Sequence, residues 1–400
     1  MCAVLTIFLL LTNSVSARCD NASEAKAMDS VRISLLTCDP IQKVYALYGH
    51  TALRVENPST GLDLVVNYGV FSFDKPFFVL RFMFGLTDYE MGIEPFTDFR
   101  DKYAYYSCAV RQQVLNLTAA EKQAVLHAMD ENYLPENRVY RYNYFYDNCT
   151  TRARDMIVGH VQGRVVYAGQ APAAQLSYRA MIHTYNEEHP WARMGNDMLL
   201  GIGADQATDA TQAQFLPDNL RKDFDHAVIV DEKGQSRPLV VESFWALPKV
   251  VVPVESEFPL TPTQCALILA AIVVLSTIWE SRKRTNWWLL DLLLLLADGV
   301  CGLILLAMVF SEHPTVKLNL QILVLNPLSL LFLYQSVRNL RRGQSHRWLK
   351  AFPVFLAVGL VCAMFQSFAE GIVIVALSLL FRYVVKNAQL RKHNPKASRP

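Results

Sequence analysis

The chain has 400 residues and a mass of 45.3 kDa, with 52% apolar residues, 18% charged residues and a net charge of +2. This composition excludes a disordered chain, a collagen-like rod and a long coiled coil. Residues 1–263 hold 23 Lys and Arg against 31 Asp and Glu, whereas residues 264–400 hold 15 against 5. In the second half the basic residues flank long apolar runs, which is typical of a membrane protein and excludes a nucleic-acid-binding face.

The N-terminus has the features of a secretory signal. The apolar stretch Met1–Leu11 is too short to span a bilayer, and the small residues that end at Ala17 predict cleavage there. Arg18 argues against lipidation of Cys19, because a lipoprotein signal needs a small residue before the cysteine. We therefore expect residues 1–17 to be removed on export.

The mature chain divides by composition into an exported part and a membrane part. Residues 18–247 have ordinary soluble composition and are predicted to form one exported domain. The four prolines between 248 and 262 predict an extended linker over 248–261. Residues 262–386 hold the apolar segments, and a tail of 387–400 follows.

Five apolar segments approach the ~20 residues that cross ~30 Å of hydrocarbon. They are Pro262–Trp279, Trp287–Phe310, Val316–Gln335, Trp348–Gln366 and Gly371–Val385. Clusters of Arg and Lys follow the first, third and fifth segments. The positive-inside rule then predicts five helices in a bacterial inner membrane, with the exported domain in the periplasm and the C-terminus in the cytoplasm.

Two strands and a turn bring polar residues together in the exported part. Ala52–Val55 and Leu64–Tyr68 are predicted strands, joined by a turn rich in Asn, Pro and Gly. Antiparallel pairing about that turn brings Asn67 to the level of Ala52. His50 stands just before the first strand, so we expect His50 and Asn67 to lie close together.

Two helix starts are also predicted. Thr118 with Glu121 forms a capping box, followed by apolar residues at helical spacing up to Tyr133. Asp147-Asn148 predicts a second helix that begins at Cys149. In the first helical turn the unpaired N–H groups and the positive end of the helix dipole favour a thiolate.

These residues indicate a thiol nucleophile. A thiolate needs a base, for which His50 is the best candidate, and the base needs an orienting group, for which Asn67 is in reach. A Cys at a helix start that faces a His on the adjoining sheet is the geometry of papain-like enzymes. The chain contains no GxGxxG, P-loop, HExxH, CxxC or GxSxG motif, so we expect no cofactor and no metal.

At these residues the sequence resembles a known family, the Lnb-type bacterial lipoprotein N-acyltransferases. The exported part is also similar to the permuted NlpC/P60 and lecithin–retinol acyltransferase thiol enzymes, in which the His strand precedes the Cys helix. The resemblance implies a papain-like α+β exported domain followed by an all-α bundle of five transmembrane helices. The matching motifs are Tyr48-Gly49-His50, Val66-Asn67-Tyr68-Gly69, the run 143–155 around Cys149, Phe215-Leu216-Pro217, His313-Pro314 and Leu325-Asn326-Pro327-Leu328.

The family resemblance implies a reaction and two partners. Cys149 would take an acyl chain from a phospholipid as a thioester, and the N-terminal amine of a diacylglyceryl-cysteine lipoprotein would then accept it. Two alternatives stay open. One is a membrane-tethered thiol hydrolase (a peptidase, amidase or phospholipase) with the same Cys-His dyad, and the other is a non-enzymatic, membrane-anchored binding domain.

Four residues are further candidates for substrate binding: Arg152, Arg154, Tyr146 and His313. The two arginines follow the nucleophile and could contact an oxyanion or a phosphate. Ion pairs with Asp147 or Asp155 are the favoured alternative for them. His313 lies at the outer end of the membrane half and could contact a headgroup or only cap its loop.

Other residues have structural interpretations. With Cys149 assigned to catalysis, Cys38 and Cys108 are the candidates for a disulfide. Asp298 and Asn326 lie midway along successive membrane segments and are expected to meet as polar contacts between helices. Asp291 is expected to reach the interface by snorkelling. The apolar run Phe77–Leu86 is either core, which is favoured, or a surface that dips into lipid.

Overall fold

The computed structural model describes residues 28–41, 46–71, 76–167, 176–250 and 258–393. The predicted signal peptide lies outside these residues, as do the middle of the linker and the last seven residues of the tail. The chain forms two compact units, and each is described separately. One unit comprises residues 1–176 and 207–255, and the other comprises 177–206 and 256–400.

The first unit holds the strands of the described residues. Their bounds are β1 Arg32–Cys38, β2 His50–Asn57, β3 Leu62–Val70, β4 Asp88–Pro95, β5 Val110–Leu115, β6 Val139–Arg141, β7 Arg164–Tyr167, β8 Ala227–Val230, β9 Ser236–Pro238 and β10 Val240–Leu247. Seven of them form an antiparallel sheet in the order β10-β5-β1-β2-β3-β4-β6, and β7-β8-β9 form a smaller one.

The helices of the described residues are divided between the units. Their bounds are α1 Phe78–Met83, α2 Phe96–Tyr105, α3 Ala119–Tyr133, α4 Cys149–Val158, α5 Tyr178–His183, α6 Pro190–Leu199, α7 Ala210–Ala213, α8 Pro217–His226, α9 Pro262–Lys283, α10 Trp288–Met308, α11 Leu328–Leu331, α12 Leu333–Arg341, α13 Arg347–Cys362 and α14 Ile372–His393. Helices α1–α4, α7 and α8 belong to the first unit, and the others belong to the second.

The large sheet separates two apolar layers. Side chains alternate along a strand, so Ile33 and Leu35 of β1 face a core formed with α3, α4 and α8. Leu36 and Cys38 point the other way, against Phe99 and Tyr103 of α2. The sheet therefore carries α4, with Cys149 at its start, on one of two well-packed faces.

The local predictions for this unit are confirmed. Strands β2 and β3 pair antiparallel with Ala52 opposite Asn67. Helix α3 begins with the capping box of Thr118 and Glu121, and α4 begins at Cys149. The chain thus folds into a mixed α/β unit, while the papain-like fold stays a prediction.

The second unit contains the apolar helices. Of the helices in the described residues, α9, α10 and residues 372–391 of α14 are long and apolar enough to cross a membrane. The predicted third segment is broken, because residues 320–331 and α12 meet at an angle of 72°. The bend falls at Phe332, where α11 ends and α12 begins. Counting the bent pair as one span gives four, and α13 has only 16 residues, so five spans are not confirmed.

Residues 177–206 pack within this second unit although their composition is that of a soluble domain. The Trp191 Nε1–H donates to the carbonyl of Leu260 at 2.8 Å, and Arg193 pairs with Glu370 at 2.8 Å. The single exported domain over 18–247 therefore remains a prediction, since the compact unit that holds the sheet does not include 177–206.

Candidate active site

Cys149 is held at the first position of α4 by its neighbour. Asn148 caps the helix, because its Oδ1 accepts the N–H groups of Thr150 and Thr151 at 2.9 Å each. The amide nitrogen of Asn148 donates to the carbonyl of Phe215 at 2.9 Å. One buried side chain thus ties the start of the helix to a distant loop and fixes where the partly exposed Cys149 lies.

His50 is positioned by the next strand. Its Nε2 lies 3.0 Å from Asn67 Oδ1, and because an amide oxygen only accepts, Nε2 carries the proton. Asn67 is fixed in turn, since its nitrogen donates to Glu94 at 2.6 Å. Before His50 the backbone requires glycine, because Gly49 has a φ of +77° and an added Cβ would lie 2.7 Å from the Cys38 carbonyl oxygen.

The remaining nitrogen of His50, Nδ1, is available to the thiol. Burial by itself raises the pKa of the Cys149 thiol, but the charge and hydrogen bond of His50, with the N–H of Thr51, hold that pKa below its ordinary value. Burial lowers the pKa of His50, but the Cys149 thiolate and Asn67 raise it above its ordinary value. The lowered pKa of Cys149 and the raised pKa of His50 both favour a thiolate–imidazolium pair.

This arrangement has the parts of an activated nucleophile. In such an arrangement a thiolate sulfur can attack a carbonyl, an imidazole can move protons, and an amide can keep the ring oriented. Cys149 is free of any disulfide among the described residues, as a nucleophile must be. The structure therefore brings together Cys149, His50 and Asn67, which the sequence analysis predicted as a catalytic group.

Two family models match the chain. The model described as the Lnb N-terminal periplasmic domain matches residues 19–183, and the Lnb transmembrane domain matches residues 253–393. The chain belongs to the Lnb family. No curated protein and no solved structure matches it. The resemblance stated from the motifs is confirmed, and this Lnb-family chain is a membrane protein with a periplasmic domain.

The two arginines after the nucleophile are engaged in ion pairs in this Lnb-family protein. Arg152 forms two hydrogen bonds with Asp147, at 2.6 and 2.8 Å, and its guanidinium lies 3.5 Å from the centre of the Tyr140 ring. Arg154 pairs with Asp155 at 2.7 Å. The favoured ion-pair interpretation describes both contacts, and substrate binding by either residue stays a prediction.

The other two substrate-binding candidates lie in different units. Tyr146 is exposed, in the loop before α4, and its N–H donates to the Asn143 side chain. His313 belongs to the second unit and is buried, with its N–H donating to the hydroxyl of Ser311. Burial leaves little of His313 for a headgroup, and its role also stays a prediction.

The disulfide predicted between Cys38 and Cys108 is absent, because both are free thiols among the described residues. Strand pairing sets Val110, not Cys108, opposite Cys38. The Cys38 thiol is hydrogen-bonded to Tyr103, and burial raises its pKa far above the ordinary range. Cys108 donates to the Pro40 carbonyl at 3.3 Å. Each thiol therefore has its own polar partner.

The second unit brings Asp298 and Asn326 together as expected. The backbone N–H of Asn326 donates to Asp298 Oδ2 at 3.3 Å, at the break in helical structure just before Pro327 and α11. Gly302 faces this break, since an added Cβ there would lie 2.4 Å from the Pro327 nitrogen. A small residue on α10 thus lets the broken segment approach closely.

A buried charge network in the same unit was missed by the sequence analysis. Arg382 of α14 donates to Asp291 of α10 at 2.7 Å and to Glu280 of α9 at 2.9 Å, and Lys386 contacts the same two carboxylates. All four side chains are buried. The expectation that Asp291 snorkels to the interface is therefore wrong.

The apolar run 77–86 is exposed at several positions. The exposed fraction is 76% at Phe77 and 52% at Leu80, and Leu86 is also exposed. The favoured interpretation of this run as core is wrong at these residues. The run contains α1 and joins β3, which carries Asn67, to β4, which carries Glu94.

Proposed function

We propose that this chain is a lipoprotein N-acyltransferase. The donor is a phospholipid, and the acceptor is the N-terminal amine of a diacylglyceryl-cysteine lipoprotein. The observation that carries the proposal is the Cys149 thiol at a helix start, facing a His50 imidazole that Asn67 orients at 3.0 Å. Membership of the Lnb family supports the choice of substrates.

In the first half-reaction the Cys149 thiolate attacks the ester carbonyl of the phospholipid. A carbon–sulfur bond forms, and the carbonyl electron pair moves onto oxygen. When the pair returns, the bond to the glycerol oxygen breaks and His50 gives that oxygen its proton. The products of this step are an acyl thioester on Cys149 and a lysophospholipid.

In the second half-reaction the lipoprotein amine attacks the thioester. His50, now neutral, accepts a proton from the amine, and the carbon–sulfur bond breaks as the amide forms. Cys149 leaves as a thiolate and is ready for another donor. Asn67 keeps the same ring nitrogen engaged in both steps, so one oriented imidazole serves as acid and then as base.

The proposal includes a membrane arrangement. The chain crosses a bacterial inner membrane five times, with its catalytic domain in the periplasm and its C-terminus in the cytoplasm. The charge of the loops supports this orientation. Both lipid substrates then meet the enzyme at the outer face of that membrane.

We also assign the exposed run 77–86 to contact with lipid. Phe77 and Leu80 present apolar surface that folding leaves uncovered within the first unit. The run connects the two strands whose Asn67 and Glu94 orient His50. An ester that enters from lipid beside this run would therefore approach the dyad.

The thioester itself tests the proposal. Full-length protein in phospholipid micelles should gain the mass of one acyl chain on Cys149, which neutral hydroxylamine removes. Cys149→Ala and His50→Ala should gain none. Release of fatty acid by the wild type without acylation of any added acceptor would favour the thiol hydrolase. A Cys149 that forms no adduct with lipid or alkylating agent would favour the binding domain.

A further inference from the structure

An open position lies beside the nucleophile at Gly69. This residue has a φ of +89°, and a Cβ added to it would lie 3.9 Å from each of three atoms. Those atoms are Cys149 Cβ, the Tyr140 hydroxyl oxygen and a ring carbon of Tyr89. Since glycine has no side chain, this point is left free between the nucleophile and a tyrosine hydroxyl.

The Tyr140 hydroxyl has no hydrogen-bond partner among the residues that the structure describes. Tyr140 is only 8% exposed, so water does not readily take the place of a partner. A buried hydroxyl without a partner is unfavourable and calls for an explanation. Its position toward the open point beside Cys149 supplies one, because a substrate oxygen could accept there.

Tyr140 is fixed in place and stays protonated, as a hydrogen-bond donor must. The Arg152 guanidinium stacks on its ring at 3.5 Å, which fixes the ring plane. Burial, together with the Cys149 thiolate, raises the pKa of Tyr140 far above its ordinary value. The hydroxyl therefore keeps its proton.

The nucleophile itself offers a second donor. The N–H of Cys149 is at the first position of α4 and has no acceptor within the helix. The cap at Asn148 takes the N–H groups of Thr150 and Thr151, not that of Cys149. Two donors near one point are what a developing oxyanion needs.

We propose that Tyr140 donates its hydroxyl hydrogen bond to the oxyanion that forms when the Cys149 thiolate adds to an acyl carbonyl, with the Cys149 N–H as the second donor. The inference rests on the proposed thiol acyl chemistry. In this step the negative charge moves from sulfur to the carbonyl oxygen, and Tyr140 keeps its proton. When the intermediate collapses, the electron pair re-forms the carbonyl, the bond to the leaving oxygen breaks, and that oxygen takes the proton of His50.

Two electrophiles of different geometry test this role in the full-length protein. The thiolate adds to the carbonyl of an alkyl trifluoromethyl ketone and forms a tetrahedral oxyanion, whereas it displaces iodide from the saturated carbon of iodoacetamide and forms none. Tyr140→Phe keeps the ring under Arg152 and removes only the hydroxyl. We expect it to weaken inhibition by the ketone by about 100-fold, within the range for loss of one oxyanion donor. The rate of Cys149 alkylation should stay within about twofold of wild type.

Tyr68→Phe is the matched control. The Tyr68 hydroxyl also lacks a partner among the described residues, and the residue is 1% exposed, but it packs in the apolar core. We expect this variant to bind the ketone as wild type does. Equal ketone inhibition of Tyr140→Phe and wild type would overturn the inference, as would an equal loss in Tyr68→Phe.

The outcomes also separate this inference from the proposed function. If the ketone inhibits Tyr140→Phe as strongly as wild type, and this variant still forms the phospholipid thioester, then the proposed role of Tyr140 is wrong and the proposed acyltransferase stands. If Tyr140→Phe weakens ketone inhibition but the wild type never acylates a lipoprotein, then the oxyanion site is supported and the proposed acceptor is wrong. A wild type that reacts with iodoacetamide but resists the ketone contradicts the oxyanion site itself.

Discussion

At the scale of single residues, the reactivity of Cys149 depends on compensation between burial and charge. Burial opposes the thiolate, and His50 with the helix start more than offsets it. Cys38 is a useful comparison, because it is buried on the same sheet and its thiol pairs with Tyr103, so no imidazole contributes to its pKa although His50 lies opposite it on β2. Burial raises its pKa far above the ordinary range. The partner, not the thiol, therefore decides which cysteine reacts.

His50→Ala should make Cys149 slow to alkylate near neutral pH. In the wild type the lowered thiol pKa means that the iodoacetamide rate reaches its plateau below the ordinary thiol pKa of about 8.5. Without the imidazolium, only the hydrogen bonds from Thr51 and Thr150 still oppose the effect of burial, and we expect the thiol pKa to rise above that value. We expect at least a tenfold lower rate at pH 6.5 and a rate that still rises at pH 9. Superimposable pH profiles would contradict the ion pair.

The rate of thioester formation should depend on the ionisation of both Cys149 and His50. The thiolate requires a pH above the lowered pKa of Cys149, and the proton on His50 requires a pH below its raised pKa. A bell-shaped profile between those two values is expected for thioester formation.

Cys38 should stay unlabelled throughout, which peptide mapping of the alkylated protein can check.

The sequence was enough to predict that Cys149, His50 and Asn67 lie together, but not what surrounds them. Cys149 and His50 were predicted because each stands at the start of a regular element, and the turn at 57–61 set the register that brings Asn67 to His50. Glu94 and Tyr140 lie on later strands. Whether Glu94 and Tyr140 come close to Cys149 and His50 depends on how those strands join the sheet, and no local sequence pattern predicts that.

At the scale of elements, α1 carries the exposed apolar surface that we assign to contact with lipid. Leu80→Asp should lower kcat/KM for a long-chain phospholipid at least tenfold, because about 1.5–3 kcal/mol of apolar transfer at this side chain is lost. The alkylation rate of Cys149 should not change. Leu134→Asp is the control, since Leu134 is similarly exposed at the end of α3, away from the run. Equal effects of the two substitutions would contradict lipid contact through α1.

The charge network among α9, α10 and α14 should be sensitive to the balance of charge. Arg382→Leu leaves Asp291 and Glu280 buried with Lys386 alone, and we expect it to cost about 3–5 kcal/mol. The double variant Arg382→Leu, Asp291→Leu restores the charge balance and should recover part of that loss. Thermal unfolding of the full-length protein in detergent measures both. A single variant as stable as wild type would contradict the role of the network.

Membrane elements were predicted less well than the hairpin, for physical reasons. An apolar run has the same composition whether it forms one straight span or a broken one, and the segment at 320–341 is bent by 72°. The partner of Asp291 is 91 positions away in the chain, at Arg382. The run 77–86 shows the same ambiguity, because core and lipid-facing segments are equally apolar.

At the scale of the whole molecule, the chain passes between its two compact units three times. Residues 177–206 leave the unit that holds the sheet, join the unit that holds the apolar helices, and return. Composition could not reveal this excursion, since these residues look like the soluble part on either side. The second unit is therefore built from two separate stretches of the chain, 177–206 and 256–400.

The central claim is acyl transfer through Cys149, and one measurement tests it most directly. Full-length protein in phospholipid micelles is incubated with a synthetic diacylglyceryl-cysteine peptide, and the peptide mass is followed beside Cys149→Ala and His50→Ala. We expect a third acyl chain on the wild-type peptide and at most about 1% of that rate in either variant, within the loss expected for a nucleophile or its base. A peptide that stays diacylated, while lysophospholipid and fatty acid accumulate only with the wild type, would contradict the transferase and indicate a hydrolase.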